Sequence, residues 1–404
     1  MIIRKAFKFQ LKTKPLQEAK MKRFAGCCRK VWNLGLELQK KRLDNKEYCL
    51  NYSKLATELK NWKNDPKLQF LNEAHSQILQ QTLMNLDRAI KDAFDKTNPK
   101  RFPQFKKKGQ HDSFRYPQGF KINEKQSQIY LPKMGWIGYR NSRAVEGTLK
   151  NITVSFHGGK WYASIQTEQE KENIIHQSPS MVGIDLGVAN FATLSNDKIY
   201  PSIYSFRRIE KKLARNQRSL SRKIKFSQNW HKQKFKISSL HIKVANIRRD
   251  FLHKTSTDIS KNHAIIVLED LKVSNMSQSA SGTKETPGRQ VKAKSGLNKS
   301  ILDQGWSEFR RQLEYKQQWR SGEVIAIHPK NTSIKCSSCG HTQKENRKSQ
   351  SVFCCVACNH KEHADINAAK NILAAGHAAI ACGETVQQGR SMKQELNRKA
   401  VQAA

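Results

Sequence analysis

The sequence lacks any uninterrupted apolar stretch of the roughly 18–20 residues that a membrane-spanning helix requires. It also lacks a signal-peptide pattern, because its N-terminus does not lead from a basic start into a long apolar run. These absences predict a protein that is neither secreted nor embedded in a membrane, and that works in the cytoplasm.

Acidic residues are scarce: 33 Asp and Glu stand against 74 Lys and Arg, for a formal net charge of +41 and a pI near 10.0. This charge exceeds what solubility requires. It predicts a nucleic-acid partner that is bound mainly through phosphates and is therefore sensitive to salt. A merely solvated basic surface is the alternative, and charge alone does not choose between DNA and RNA.

Nine cysteines is an odd number, and four of them form two C-x-x-C pairs, which favours metal-bound thiolates over a secreted disulfide framework. Cys336 with Cys339 and Cys355 with Cys358 have the spacing of a zinc ribbon. Four thiolates leave no open position for water, so the predicted zinc ion is structural. Cys354 could replace Cys355, but the second pair would then lose its spacing.

The N-terminal part has the pattern of a small β-barrel that is interrupted by helices. Residues 1–12 alternate as a strand does, residues 13–98 have apolar side chains at helical spacing, and residues 149–167 predict a β-hairpin. Residues 101–108 interleave aromatic and basic side chains, as a surface that tracks phosphates and stacks bases would. The residues predicted to contact nucleic acid there are Arg101, Phe102, Phe105, Lys106 and Lys107.

A second basic surface is predicted between residues 206 and 249, where fifteen Lys or Arg accompany a single acid, Glu210. The apolar residues recur at helical spacing, which predicts two antiparallel helices. A charge run is usually a solvated face, but fifteen bases repel one another without a partner, which favours phosphate contact. The predicted contact residues are Arg207, Arg208, Arg215, Arg218, Arg222, Arg248 and Arg249.

The remaining pattern alternates strands and helices. Residues 182–194 predict a strand, a turn and a return strand, residues 264–269 and 324–327 predict buried strands, and residues 306–319 predict a helix. Residues 274–299 are polar and rich in Ser, Gly and Lys, which predicts a mobile loop. An alanine-rich helix is predicted at 365–373, followed from residue 382 by an unpacked polar tail.

Three acids stand at the ends of predicted elements. Asp185 follows an apolar run, Glu269 closes a buried strand, and Asp365 opens the alanine-rich helix. Asp185 alone could be a turn residue, and Asp365 alone could cap its helix. Glu269 needs compensation by a base or a metal, because an unpaired buried carboxylate is costly.

Taken together, the three acids predict a ribonuclease-H-like nuclease. Two Mg²⁺ ions about 4 Å apart would bridge the carboxylates and the scissile phosphate. One ion would activate the attacking water and the other would stabilise the leaving 3′ oxygen, which gives 5′-phosphate and 3′-hydroxyl products.

An ordered set of motifs resembles the TnpB (OrfB) proteins of insertion sequences. The resemblance includes the cysteine pairs and residues 101–108 and 149–167, and it extends across nearly the whole chain. The N-terminal helices match least distinctively. The other matching motifs are Gly183-Ile-Asp-Leu-Gly187, Arg249-Asp-Phe-Leu-His-Lys254, Ile266-Val-Leu-Glu-Asp-Leu271, Gly305-Trp-Ser-Glu-Phe-Arg-Arg-Gln-Leu-Glu-Tyr-Lys316 and Ala364-Asp-Ile-Asn-Ala-Ala-Lys-Asn-Ile372.

This resemblance implies an RNA-guided DNA endonuclease related to the compact type V CRISPR effectors. Asp185, Glu269 and Asp365 would be its metal-binding triad. Its partners would be a guide RNA and double-stranded target DNA, with base pairing choosing the sequence and the protein reading a short flanking motif. A monomer on RNA, associated with the prokaryotic nucleoid when bound to DNA, is expected.

The implied fold class is an α/β multidomain protein, with an RNase H-like (RuvC) nuclease domain, an inserted zinc ribbon and an N-terminal β-barrel (wedge) that carries a helical recognition insert. The predicted boundaries are 1–12 and 99–178 for the barrel, 13–98 for the helical insert, 179–330 and 363–381 for the nuclease domain, 331–362 for the ribbon and 382–404 for the tail.

Two alternatives belong to other functional classes. An RNA-guided DNA-binding regulator would not cleave, but such relatives have lost acids that are all present here. An accessory transposition protein that performs strand transfer would need a positioned Tyr or Ser nucleophile, for which the sequence has no independent signal.

Overall fold

The computed structural model describes residues 2–98, 100–109, 112–170, 175–283 and 285–381. The chain forms two compact units, Met1–Glu172 and Asn173–Ala404. The polar tail predicted at 382–404 lies outside the described residues. No helix within the described ranges is both long and apolar enough to cross a membrane.

In its described residues the first unit combines one antiparallel sheet with three α-helices and a 3-10 helix, which confirms the helices predicted within 13–98. Its elements are β1 (Ile2–Lys12), α1 (Pro15–Asp44), α2 (Tyr52–Asn64), a 3-10 helix (Pro66–Glu73), α3 (Ser76–Phe94), β2 (Ser113–Tyr116), β3 (Lys121–Asn123), β4 (Gln128–Leu131), β5 (Gly135–Tyr139), β6 (Thr148–His157) and β7 (Lys160–Glu170).

The strand order of this sheet is β2-β6-β7-β1-β5-β4-β3, and every neighbouring pair is antiparallel. Strand β1 buries alternate residues, as its pattern predicts. The β6–β7 hairpin is confirmed, and Gly158 and Gly159 at its turn adopt positive φ angles. The Tyr116 hydroxyl donates to the Pro132 carbonyl at 2.9 Å, so the sheet curves until β2 reaches the β4–β5 turn.

The second unit contains six helices and seven strands among the described residues. Its elements are β8 (Met181–Asp185), β9 (Asn190–Leu194), β10 (Ile199–Pro201), α4 (Arg207–Ser221), α5 (Gln228–Asn262), β11 (Ile265–Glu269), α6 (Val273–Met276), α7 (Val291–Gln304), α8 (Trp306–Arg320), β12 (Glu323–Ile327), a 3-10 helix (Lys344–Asn346), β13 (Val352–Cys354), β14 (Lys361–His363) and α9 (Ala364–Ala381).

Its main sheet has the order β10-β9-β8-β11-β12. Strands β8, β9 and β10 form an antiparallel meander, whereas β8, β11 and β12 run parallel. Apolar side chains cover both faces, which explains why β11 is continuously apolar. Ile266 and Leu268 pack with residues of α5 and α8 on one face, and Val267 packs with Ile372 of α9 on the other.

The prediction of a mobile loop at 274–299 is wrong where helices lie, namely α6 up to residue 276 and α7 from residue 291. Polar tertiary contacts hold this segment, and composition does not reveal them. The Asn298 amide donates to the Ser277 carbonyl at 3.1 Å. At the end of α7 the buried Asp303 carboxylate accepts hydrogen bonds from the Ser205 hydroxyl at 2.5 Å and the Phe206 amide at 2.9 Å.

Candidate active site

Asp185 and Glu269 lie side by side where two parallel strands end. Ile184 is in register with Leu268, and each acid is the next residue of its strand. Strand β8 is also where the sheet changes from antiparallel to parallel pairing. Ligands of open α/β sheets bind outside the carboxyl ends of strands at such a point.

Asp365 lies in the first turn of α9, one residue inside the helix, so it is not the N-cap. Its carboxylate accepts a hydrogen bond of 3.3 Å from the Asn190 amide at the start of β9. The Arg347 guanidinium, which lies between the two cysteine pairs in sequence, is 3.7 Å from the other carboxylate oxygen. The backbone amide of Asp365 donates to His363 Nδ1 at 3.3 Å.

The pKa values show that the three acids share one electrostatic environment. Burial first, and then the negative charges of Glu269 and Asp365, raise the pKa of Asp185 to about 7, whereas Arg347 opposes this shift. The Asp185 side chain keeps some contact with solvent, although protein surrounds most of it. Burial likewise raises the pKa of Glu269, opposed by a 2.5 Å hydrogen bond from the Thr332 hydroxyl.

This donor set fits hard divalent cations. Among the described residues no lysine or arginine forms an ion pair with Asp185 or Glu269, so their negative charge has no direct partner. The three carboxylates do not all converge within 4.8 Å, as the ligands of a single ion would.

The raised pKa of Asp185 makes a prediction about stability. The ordinary pKa is 3.8 and the folded value is about 7, so the unfolded chain releases this proton first as the pH rises. The metal-free protein therefore loses stability between about pH 4 and pH 7. We expect Asp185→Asn to melt roughly 5 °C above the parent at pH 8 in EDTA, with the difference shrinking toward pH 5. Equal melting temperatures at pH 8 would contradict this repulsion.

The four predicted zinc ligands form one cluster. Their sulfur atoms all lie within 4.8 Å of one another, with Cys336 to Cys358 at 3.7 Å and Cys339 to Cys355 at 3.6 Å. A tetrahedron of zinc–sulfur bonds of about 2.3 Å has edges of about 3.8 Å, so this spacing fits zinc. Cys354 does not belong to the cluster, which resolves the choice between it and Cys355.

The cysteine cluster is tied to the helix that carries Asp365. The buried Asn367 side chain accepts from the Ser337 amide at 2.9 Å and donates to the Lys335 carbonyl at 2.8 Å. The Asn371 amide donates to the same carbonyl at 2.7 Å and to the Thr332 carbonyl at 3.0 Å. The first knuckle and the start of α9 are therefore hydrogen-bonded together.

Sequence reasoning missed five polar residues that either contact these acids or join the cysteine cluster to α9. They follow no spacing rule, and only the fold brings them to the site. The asparagines of α9 belong to a recognised motif, but the motif does not reveal their partners. These residues are Asn190, Thr332, Arg347, Asn367 and Asn371.

The basic segment at 101–108 is held against α1. The Asn33 side chain bonds to both the carbonyl and the amide of Lys106, at 3.1 and 2.8 Å. The Lys106 ammonium lies 3.8 Å from the centre of the Trp32 ring. Phe102 packs against the core, whereas Phe105 is 46% exposed. Arg101 and Lys107 are exposed as well.

The arginines predicted to contact nucleic acid in the second unit differ in their surroundings. Arg248 is partly buried, donates to the Leu302 carbonyl at 2.9 Å and lies 3.6 Å from the Asp303 carboxylate, so it also supports the end of α7. The others are exposed on α4 and α5, except that the exposed Arg222 is the residue directly after α4. These are Arg207, Arg208, Arg215, Arg218, Arg222 and Arg249.

Comparison with known proteins gives three family matches. Residues 164–280 match a family described as a probable transposase, and residues 306–372 match a Cas12f1-like TNB domain. Residues 1–47 match a family described as a helix-turn-helix domain, although the described residues of this range, 2–47, form strand β1 and the single helix α1.

The chain is 57% identical over 390 residues to a protein of Escherichia coli (strain K12) named "Putative RNA-guided DNA endonuclease InsQ", and the alignment covers 96% of each chain. This chain is a member of the TnpB (OrfB) family. A second relative of this TnpB protein, from Streptomyces pristinaespiralis, is named "Putative RNA-guided DNA endonuclease". It is 31% identical over 413 residues, and the alignment covers 98% of this chain and 97% of the relative.

The fold of this TnpB protein also has a solved counterpart. A cryo-EM structure of a Cas12f1–sgRNA–target DNA complex contains a chain that superposes with a TM-score of 0.54 at 15% identity. The match covers 89% of this chain and 83% of that one, so the two share a fold. The family membership inferred from the motifs is confirmed.

Proposed function

We propose that this TnpB protein is an RNA-guided DNA endonuclease that cuts target DNA beside a short flanking motif. The observation that carries the proposal is the pairing of Asp185 with Glu269 at adjacent strand ends, with Asp365 near enough to raise the Asp185 pKa. The names of these two relatives support guidance by RNA. The net charge of +41 supports a polyanionic partner.

The proposed nuclease domain is RNase H-like, of the RuvC kind. A meander of three antiparallel strands joined to two parallel strands supports this assignment, as does the delivery of acids by the first and fourth strands and the last helix. The curved sheet of the first unit would be the wedge barrel, with α1, α2 and α3 as its recognition insert. The cysteine cluster would be the zinc ribbon inserted between β12 and α9.

The three carboxylates would hold two Mg²⁺ ions, which when bound supply an activated water and charge stabilisation at the leaving 3′ oxygen. The Thr332 hydroxyl would fix the orientation of Glu269. Asn190 would orient Asp365, and the Arg347 guanidinium would remain close enough to offset charge on the scissile phosphate. The four cysteines would bind zinc without an open position, so that ion would be structural.

A programmed cleavage assay tests the proposed function. The protein is purified with its RNA and mixed with plasmids that carry or lack the matching target, in Mg²⁺ or in EDTA. We expect cutting of the matched plasmid in Mg²⁺ only, and a change of target when the guide segment is exchanged. Cutting without RNA would contradict guidance, and guided binding without cutting would identify a regulator.

A further inference from the structure

The turn that joins α4 to α5 exposes large apolar side chains. Ile224 is 82% exposed, Phe226 is 67% exposed and Phe235 is 51% exposed. The Trp230 ring lies beside Phe226 with a centroid separation of 5.5 Å, and His231 follows at 5.2 Å from Trp230. Clustered apolar side chains on a surface are typical of binding sites, whereas isolated ones need no explanation. We call residues 222–236 the hairpin tip.

The hairpin tip is held rigidly. The Gln233 side chain is buried and donates to both the carbonyl and the side-chain oxygen of Asn216, at 3.1 and 2.9 Å, which ties α5 to α4. The Ser227 hydroxyl caps α5 by accepting from the Trp230 amide at 3.2 Å. The aromatic rings are therefore presented on a fixed support, which lowers the entropy lost when they bind a partner.

Neither the backbone conformation nor the burial of position 226 favours an aromatic residue there. The φ angle of Phe226 is +68°, in the left-handed region that bulky residues rarely adopt and that Asn tolerates better. Backbone strain of this kind is found most often at binding and active sites. Because the ring is mostly exposed, its contact with Trp230 contributes little to the fold, which favours a partner as the reason for its presence.

The charge around the tip indicates the class of partner. Residues 211–249 contain thirteen Lys and Arg and no acid, and these run along both helices. The Lys225 ammonium lies 5.4 Å from the Phe226 ring centre and the Lys234 ammonium lies 4.9 Å from that of Trp230. A second copy of the chain would bring like charges together. An extended polyanion that carries flat rings matches both the basic side chains along the two helices and the aromatic side chains at the hairpin tip.

We propose that the hairpin tip is a stacking site for unpaired nucleotides. Phe226 and Phe235 would offer ring faces to bases, and Lys225 and Lys234 would neutralise the adjoining phosphates. Stacking on aromatic rings accepts any base, so the site would recognise the unpaired state and not a sequence. The proposal rests on the proposed function only in that the partner is a nucleic acid, and it does not require cleavage.

Photo-crosslinking of the intact complex tests the site. Trypsin cuts after Lys225 and Lys232, which releases a peptide of residues 226–232 that contains Phe226 and Trp230. After irradiation of the RNA-bound protein, alone and with target DNA, we expect this peptide to carry a nucleotide. The sugar of that nucleotide distinguishes RNA from DNA as the source, and its position should be unpaired.

Variants at two neighbouring positions separate stacking from general apolar contact. Phe226→Asn removes the ring and suits the left-handed backbone, so the protein should remain folded while the crosslink yield falls about tenfold. Ile224→Ser removes a similarly exposed aliphatic side chain without a ring face and should leave the yield unchanged. Thermal melting of both variants checks that folding is intact.

Three results would overturn the stacking site. They are absence of the crosslinked peptide in a complex that contains RNA, equal losses in the two variants, and self-association of the wild-type chain that Phe226→Asn abolishes. None of these results would contradict the proposal that the protein is a guided nuclease. A protein that purifies free of nucleic acid and needs none to cut would instead contradict the proposed function.

Discussion

Asp185→Asn is expected to lower the rate of DNA cleavage by about a thousandfold or more while leaving RNA and target binding within about twofold. The amide keeps the shape of the side chain and its hydrogen bond with the Leu186 amide but loses the negative charge that would hold a metal ion. A thousandfold lower rate corresponds to the loss of several kcal/mol of transition-state stabilisation by the metal ions. Single-turnover cleavage and filter binding on the same preparation measure the two effects separately.

Asp197→Asn is the matched control, because it makes the same chemical change at an exposed position between β9 and β10. Its φ angle is +65°, which Asn tolerates, so the control should fold and cut normally. Glu269→Gln and Asp365→Asn should resemble Asp185→Asn. Normal cleavage by any of the three variants would remove that residue from the proposed metal site.

Cys355→Ser is expected to produce the second large effect: loss of bound zinc and, with it, loss of cleavage although all three acids remain. Structural zinc sites contribute on the order of 10–16 kcal/mol of binding free energy, which the fold around them requires. Because Asn367 joins the first knuckle to α9, the loss should reach the turn that carries Asp365. Zinc content, hydrogen exchange at the start of α9 and cleavage are the measurements.

Cys354→Ser is the control for this experiment, since it changes the adjacent residue in the same way and lies outside the sulfur cluster. It should retain one zinc ion per chain and full activity. Zinc retained by Cys355→Ser but lost by Cys354→Ser would reverse the ligand assignment. Slower turnover in a fully folded, zinc-loaded Cys355→Ser protein would contradict a structural role.

The sequence predicts the strands and helices that have a continuous apolar run or apolar residues at helical spacing. Strand β11 and helix α8 follow from their own residues, as does the antiparallel pair α4 and α5, in which Leu213 and Val244 are buried. Helix α7 does not, because only one of its apolar residues, Ile301, is buried. Its support comes from Asp303 and other polar contacts that join residues far apart in the chain.

The residues of the candidate site also include some that the sequence predicts and some that it does not. The three acids are predictable because each stands at the end of an apolar or alanine-rich element, and the zinc ligands because their spacing is specific. Arg347 and Thr332 are not predictable, since each occurs in a loop where arginine and threonine are common. Their proximity to the acids depends on how the ribbon folds back onto the sheet.

Helix α9 lies unusually close to the sheet, and two glycines make this possible. A methyl group on Gly183 would collide with the Ala369 carbonyl oxygen, and one on Gly376 would collide with the Val267 side chain. Gly376 is about three turns, or roughly 16 Å, along the helix from Asp365. The position of the Asp365 carboxylate therefore depends on the absence of a side chain at a residue about three helical turns away. A methyl group at Gly376 would push α9 away from the sheet and so displace Asp365, although none of the three acids would be changed.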